Sequence, residues 1–394
     1  MTGFAFAYAV MRACGGQPRK NPGAPRKLID QTKFIFYNVG SINDEAEHDL
    51  FNNLNSGKIA LTNAELIKAL FLNKVGNEDI AHREVEQRLL ADEFDQVERT
   101  LRQDDFLYFL AGNADKPSSC INLLFDMIFE ADKSVDKKKY PEYERFRTFL
   151  YFNDQINANR DESYNKSKVI WEDVRRVFHV MEGWFNDSTM YNLVGYHRAV
   201  NAKSLATIYE QFNKSHSKQE FKNWLVEECK EYIDDLDGFM NLRYDTNKSA
   251  VFNLLLLFNI ATLLKKPQER VKFSFASFLK HKWDVEHISP QNPQDEDIRL
   301  ADNELMSIGN LTLLTDHVNR GISNGNFEEK RNAIQKYYRQ GCYIPLCSMN
   351  VFMKFYSTKP TQFLSWDEYD RKDYTQEIEI TINEFFHPKP NNNE

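Results

Sequence analysis

The stretch Trp283-Asp284-Val285-Glu286-His287-Ile288-Ser289-Pro290 decides how this chain of 394 residues reads. Trp283, Val285 and His287 alternate with Asp284, Glu286 and Ile288, the period-two pattern of a short strand. Adjacent strand side chains project to opposite faces, so Glu286 and His287 are expected to diverge. Twenty-three residues after His287, Asn310 opens a second apolar run, Leu311-Thr312-Leu313-Leu314. Nine residues further on stands Asn319, followed by Arg320 and Gly321. Apolar spacing then predicts a helix from Phe327 to Tyr338. The local plan is strand, loop, strand, helix.

These residue types suit one chemistry. Metal-assisted hydrolysis of a phosphodiester needs a neutral imidazole to take a proton from water and hard oxygens to hold a divalent cation. Mg²⁺ keeps several of its waters, so one or two protein oxygens suffice. Glu286 offers a carboxylate, Asn319 an amide oxygen and His287 the base. Taken singly, each has an ordinary explanation: a structural histidine, a turn asparagine at 310, a helix-capping asparagine at 319. Taken together, order, type and spacing coincide with one metal-site template.

The pattern D-x-E-H-I-x-P, then N-L-T-L-L-T, then N-R-G nine residues after the first Asn, resembles the HNH (ββα-metal) endonucleases. It is similar to the variety whose last letter is Asn, as in the nuclease domain of RNA-guided DNA cutters. It is closer still to the C-terminal domain of GmrSD-type, modification-dependent restriction endonucleases. Segments 51–72, 93–110, 171–187 and 254–264 also resemble parts of those proteins. The resemblance implies His287 as general base, with Glu286 and Asn319 as metal ligands. Asp284 becomes a reserve ligand, and His317 an alternative to Asn319. Asn310, grouped with His287 as catalytic, would brace the loop through backbone hydrogen bonds. Arg320, Lys330, Lys280 and Lys282 become candidate phosphate contacts. Implied cofactors are Mg²⁺ or Mn²⁺, with no organic cofactor, and the implied partner is DNA. The family's N-terminal domain carries an Asp-Gly-Gln-Gln-Arg signature; Gly15-Gly16-Gln17-Pro18-Arg19 lacks the acid. The expectation is a member lacking most of that domain, with a separate protein as a possible supplier. The implied activity is a DNA endonuclease in restriction or anti-phage defence. The competing class is a non-catalytic DNA-binding or scaffold subunit.

The expected fold class is mainly α: a large helical domain followed by a small ββα-metal nuclease domain. Residues 1–30 read as an irregular leader, 31–266 as the helical domain, 267–345 as the nuclease domain and 346–394 as a helical tail. Lys33–Val39 reads as a short strand. Thr62 and Glu65 form a capping box before Leu66, Ile67, Leu70 and Phe71. Leu90, Phe94, Val97 and Leu101 mark a second helix, and Trp171, Val174, Val177, Phe178, Met181 and Trp184 a third. Val251–Leu264 reads as a buried helix, interrupted by Asn253 and Asn259. Lys137–Lys139 reads as a solvated loop. Pro267 is the expected boundary, because proline disfavours helix at the residue before it. A final helix is expected to run through Phe386 and pack on the body, with a disordered PNNNE end.

Composition bounds the rest. With 42% hydrophobic and 27% charged residues the chain is globular. The net charge of −8 means that any polyanion site must be a local patch. The window 265–282 is the most basic, with six lysines and arginines against Glu269; it reads as a solvated linker or a phosphate rim. Five scattered cysteines, without a C-x-x-C pair, argue against a disulfide framework or a zinc site at Cys342 and Cys347. No apolar run reaches the roughly 20 residues of a membrane span. A cytoplasmic protein is the expectation.

Overall fold

The computed structural model describes residues 61–75, 80–112, 119–159, 163–200, 202–233, 238–293, 299–322, 324–358 and 364–388. The leader, the Lys33–Val39 strand and the PNNNE end lie outside these residues. Residues Leu61–Glu394 form one compact unit.

The first half is helical: α1 (Asn63–Lys74), α2 (Ile80–Leu101), α3 (Asp104–Ala111), α4 (Asn122–Ala131), α5 (Arg147–Asn157), α6 (Ser163–Asn186), α7 (Ser188–Ala199), α8 (Leu205–Lys214) and α9 (Lys218–Glu228). The Thr62–Glu65 capping box starts α1 as the sequence predicts, each side chain bonding the other's backbone N–H. Ile67 and Phe71 on α1, and Phe94, Val97 and Leu101 on α2, are buried. The whole Trp171-to-Trp184 stripe of α6 is buried too. Phe71 meets Trp171 edge to face, and Phe94 stacks on the same indole. The aromatic stripes thus form the joint between these helices.

The lysine run at 137–139 is a short 3₁₀ turn rather than a solvated loop. Lys137 lies over the Phe129 ring and donates to the Phe129 carbonyl, while Lys139 pairs with Asp154 at 2.6 Å.

Helix α10 (Lys248–Leu264) is buried on most faces, which accounts for its nearly unbroken apolar sequence. Its two asparagines have structural partners. Asn259 Oδ1 accepts the Cys347 N–H at 3.0 Å, and Asn253 Nδ2 donates to the Tyr232 carbonyl at 3.2 Å. The helix ends at Leu264 and a 3₁₀ turn starts at Pro267, so proline breaks the helix where expected. The hydrophobic core nevertheless continues without interruption from Ala64 to Phe386. Pro267 therefore marks a change of secondary structure inside one body rather than a gap between two.

After α11 (Phe275–Lys280) comes the sheet: β1 (Trp283–His287) and β2 (Leu311–Thr315), antiparallel, with Trp283 opposite Thr315 and His287 opposite Leu311. Between them lies the short α12 (Asp302–Leu305). Then follow α13 (Asp316–Ile322), α14 (Phe327–Arg339), α15 (Leu346–Phe352) and α16 (Glu368–Phe386). A two-stranded ribbon is marginal alone. Here it is anchored from behind. Thr312 donates to Ser348 of α15 at 2.8 Å, and the Tyr374 hydroxyl of α16 donates to the Leu311 carbonyl at 3.2 Å. Every residue of β2 is buried.

The basic window 265–282 uses much of its charge within the fold. Lys265 pairs with Glu377 and Glu384 of α16, Lys266 with Glu269, and Lys280 with Asp104 at 2.6 Å. Lys272 lies over the rings of Phe185 and Tyr191. Buried Asn192 clamps this segment, donating to the Val271 carbonyl and accepting from the Phe273 N–H, both at 2.9 Å. Most of the window is thus a tied-down crossing strip rather than a free linker, while Arg270 and Lys282 stay exposed.

Candidate active site

The turn before β2 sets the geometry of the site. Asn310 is fully buried. Its Oδ1 accepts the Ser289 N–H at 2.8 Å, and its Nδ2 donates to the carbonyls of Ser289 and Leu305 at 3.3 and 3.1 Å. Its own carbonyl accepts the Ile288 N–H at 2.8 Å. Gly309 precedes it because a Cβ there would stand 2.8 Å from the Arg371 carbonyl of α16. Asn310 thus fastens the end of β1 to the start of β2. These are backbone hydrogen bonds of the bracing kind expected of it, and Asn310 is not among the residues that line the cleft at His287.

That fastening fixes His287 at the mouth of a cleft of about 290 Å³, which Glu286, Gln291, Asn319, Arg320, Asn324 and Lys330 also line. Strand alternation places Glu286 and His287 on opposite faces; at the end of β1 both line the same cleft. The imidazole is wedged rather than free. Its Nε2 lies 3.3 Å from the Gln291 amide nitrogen, and the Tyr244 ring meets it edge-on with centroids 5.8 Å apart. Tyr244 is held in turn by its N–H on the Met306 carbonyl at 3.1 Å, next to an antiparallel bridge between Arg243 and Ser307. Burial, and then the Lys330 charge, pulls the His287 pKa down from 6.5 to about 4. The ring is therefore neutral across the whole physiological range.

Helix α13 leads directly out of β2 and carries Asn319, half-buried, to the cleft. Gly321 lies where α13 crosses α14; a Cβ there would collide with the Tyr337 hydroxyl. This explains the glycine of the N-R-G triplet. His317 is exposed and turned onto the Tyr337 ring, outside the residues lining the cleft, so it does not replace Asn319.

Lys330 needs the largest correction. It is not a surface phosphate contact: its side chain is 1% exposed. Helix α14 begins with an Asn326–Glu329 capping box and buries Phe327, Lys330 and Ile334 along one stripe. The ammonium is paired with the Glu286 carboxylate and donates to the His287 carbonyl at 2.6 Å. Burial raises the Glu286 pKa against the pull of Lys330, and burial lowers that of Lys330 against the pull of Glu286.

The remaining candidates are peripheral. Asp284 does not line the cleft and stands 3.7 Å from exposed Lys282. Lys280 is turned to Asp104 of α3. Arg320 borders the cleft, mostly exposed, with one guanidinium nitrogen 2.6 Å from Asp316. Sequence reasoning missed Gln291, Asn324 and Tyr244. Nothing in their spacing marks them, but the stripe Phe327, Lys330, Ile334 does mark Lys330 as inward-facing.

Among the described residues no three His, Cys, Asp or Glu side chains converge on a metal position. A hard-oxygen pair remains, the Glu286 carboxylate and the Asn319 amide, bordering the same cleft as His287. That donor set fits Mg²⁺ or Mn²⁺, which accept few protein oxygens, and does not fit zinc.

The fold and cleft define a mainly helical protein with a two-stranded sheet that presents a neutral histidine beside a carboxylate and an amide. Residues 229–380 match the family model described as GmrSD restriction endonucleases, C-terminal domain, so the GmrSD-type resemblance holds over the sheet, the cleft and the first two thirds of α16. The match begins well before Pro267, in keeping with the continuous core. Comparison with curated proteins and with solved structures gave no significant match. No helix among the described residues is long and apolar enough to cross a membrane.

Proposed function

We propose that this protein is an HNH-type endonuclease that hydrolyses DNA phosphodiesters with a divalent metal, in restriction of modified or foreign DNA. The observation that carries this reading is the meeting of His287, Glu286 and Asn319 in one cleft within the segment matched to a restriction-endonuclease domain. His287, kept neutral by burial, accepts the proton of the attacking water. Glu286 and Asn319 would hold the metal, which, when bound, polarises the phosphate and stabilises the leaving oxygen. Asn310 and Lys330 hold the strand end that carries both His287 and Glu286. Arg320, exposed at the cleft rim, would meet a neighbouring phosphate. Hydrolysis by this route leaves a 5′ phosphate and a 3′ hydroxyl.

The test is incubation of the purified chain with plasmid DNA and with phage DNA carrying modified cytosines, in Mg²⁺, Mn²⁺ or EDTA. Metal-dependent nicking lost in His287→Ala supports the reading. Binding without cleavage in every metal would favour the scaffold alternative. Metal dependence and the defence role both rest on this proposal.

A further inference from the structure

We infer that Lys330 keeps the cleft poor in negative charge, so that the divalent cation is taken up together with the DNA phosphate rather than before it. The inference rests on the reading above and concerns how that site is loaded. Among the described residues that line the cleft, Glu286 is the one acid, whereas Lys330 and Arg320 are basic. The Glu286 carboxylate is already paired with a buried ammonium, and that ammonium is also fixed by the His287 carbonyl at 2.6 Å. Asn319, Asn324 and Gln291 add dipoles but no charge. Asp284, outside the lining, stands 3.7 Å from Lys282, and Asp316 is engaged by Arg320.

Sites that bind divalent cations firmly without substrate collect several carboxylates, and affinity follows the number of charges supplied. Here a dication approaching the empty cleft meets a carboxylate that is already neutralised. A phosphodiester brings the missing negative charge and its own oxygens. Lys330 is thus a positioning residue: it holds one oxygen of Glu286 and leaves the other for the cation. It also withholds tight binding until the substrate arrives, which suppresses loading of the DNA-free protein.

The experiment measures Mn²⁺ binding to the DNA-free full chain from the electron paramagnetic resonance signal of free Mn²⁺. Wild-type protein is expected to bind more weakly than about 10⁻⁴ M. Lys330→Met is expected to bind at least about tenfold more tightly, and Lys330→Met with Glu286→Gln to return to weak binding. Because Lys330→Met uncovers a buried carboxylate, Lys330→Gln provides a second variant that keeps a donor for Glu286 without the charge. Circular dichroism verifies that each variant is folded. Submicromolar binding by wild type overturns the inference whatever the variants do. Equal affinity in wild type and folded Lys330 variants, abolished by Glu286→Gln, overturns the inference and leaves the metal site standing. Tight binding indifferent to Glu286→Gln overturns the assignment of Glu286 itself.

Discussion

Asn310 uses both ends of its side-chain amide on Ser289, accepting its N–H at 2.8 Å and donating to its carbonyl at 3.3 Å. This pairing lets a turn residue control the position of His287, two residues upstream of Ser289. Asn310→Ala removes three hydrogen bonds from a fully buried site and leaves the Ser289 N–H without that acceptor. The expected loss is about 1–3 kcal/mol of stability, read by urea denaturation. Nicking should fall more than stability alone explains, since the end of β1 is released. Unchanged nicking in a destabilised Asn310→Ala protein would show that the strand end needs no such brace.

His287→Ala should reduce nicking by about 10²–10⁴-fold while DNA binding persists. The acid limit follows from burial. A solvated histidine titrates near ~6.5, which would silence the base below that pH. In the cleft the pKa falls to about 4, so His287 stays unprotonated at pH 5.5. At saturating metal, the nicking rates at pH 5.5 and 7.5 should therefore differ little through this group. A rate falling with a midpoint near 6.5 would place the base elsewhere or in water.

His197 makes a separate pH prediction, outside the cleft. It is fully buried, with Nδ1 3.0 Å from the Tyr232 hydroxyl and Nε2 2.8 Å from the Leu225 carbonyl. Burial lowers its pKa to about 4. Above about 6.5 neither the folded nor the unfolded chain protonates it, and stability is complete. Between that pH and about 4 the unfolded chain binds a proton that the folded chain refuses. Stability is then lost at up to about 1.4 kcal/mol per pH unit for this group. Urea midpoints at pH 7, 6 and 5 should decline, and more gently in His197→Gln. Identical slopes in the two proteins would remove His197 as the cause.

Lys354 and Asp370 form a second buried pair, 2.6 Å apart, with the ammonium over the Phe327 and Trp366 rings. Lys354→Met strands a carboxylate in the core, and breaking such a pair destabilises by about 3–5 kcal/mol. Replacing both partners by apolar residues should recover part of this loss. A double-mutant cycle by thermal unfolding measures it, and a single variant as stable as wild type would contradict the pairing.

Much of the fold was legible because apolar periodicity is a local signal. The stripe on α6, the α1 capping box and the buried α10 all follow from spacing within one helix. The two strands were legible for the same reason, and Asn310 and Asn319 through their fixed distance along the chain. What spacing does not carry is which charges meet. Lys330 and Glu286 are 44 residues apart, and Lys280 and Asp104 are 176 apart. Each lysine, read alone, looks like a cation available to phosphate. Three-dimensional pairing withdraws them, and the same long-range packing brings Tyr244 against His287.

The uninterrupted core has a consequence for anyone cutting this gene. A fragment starting at Pro267 would keep the histidine and both asparagines but discard α10, Tyr244 and the Asn192 clamp. The hairpin would then expose to water the flank that α10 now covers. The hydrolytic motif is therefore not a portable cassette: its boundaries for expression, fusion or domain exchange lie upstream of the helices that support it.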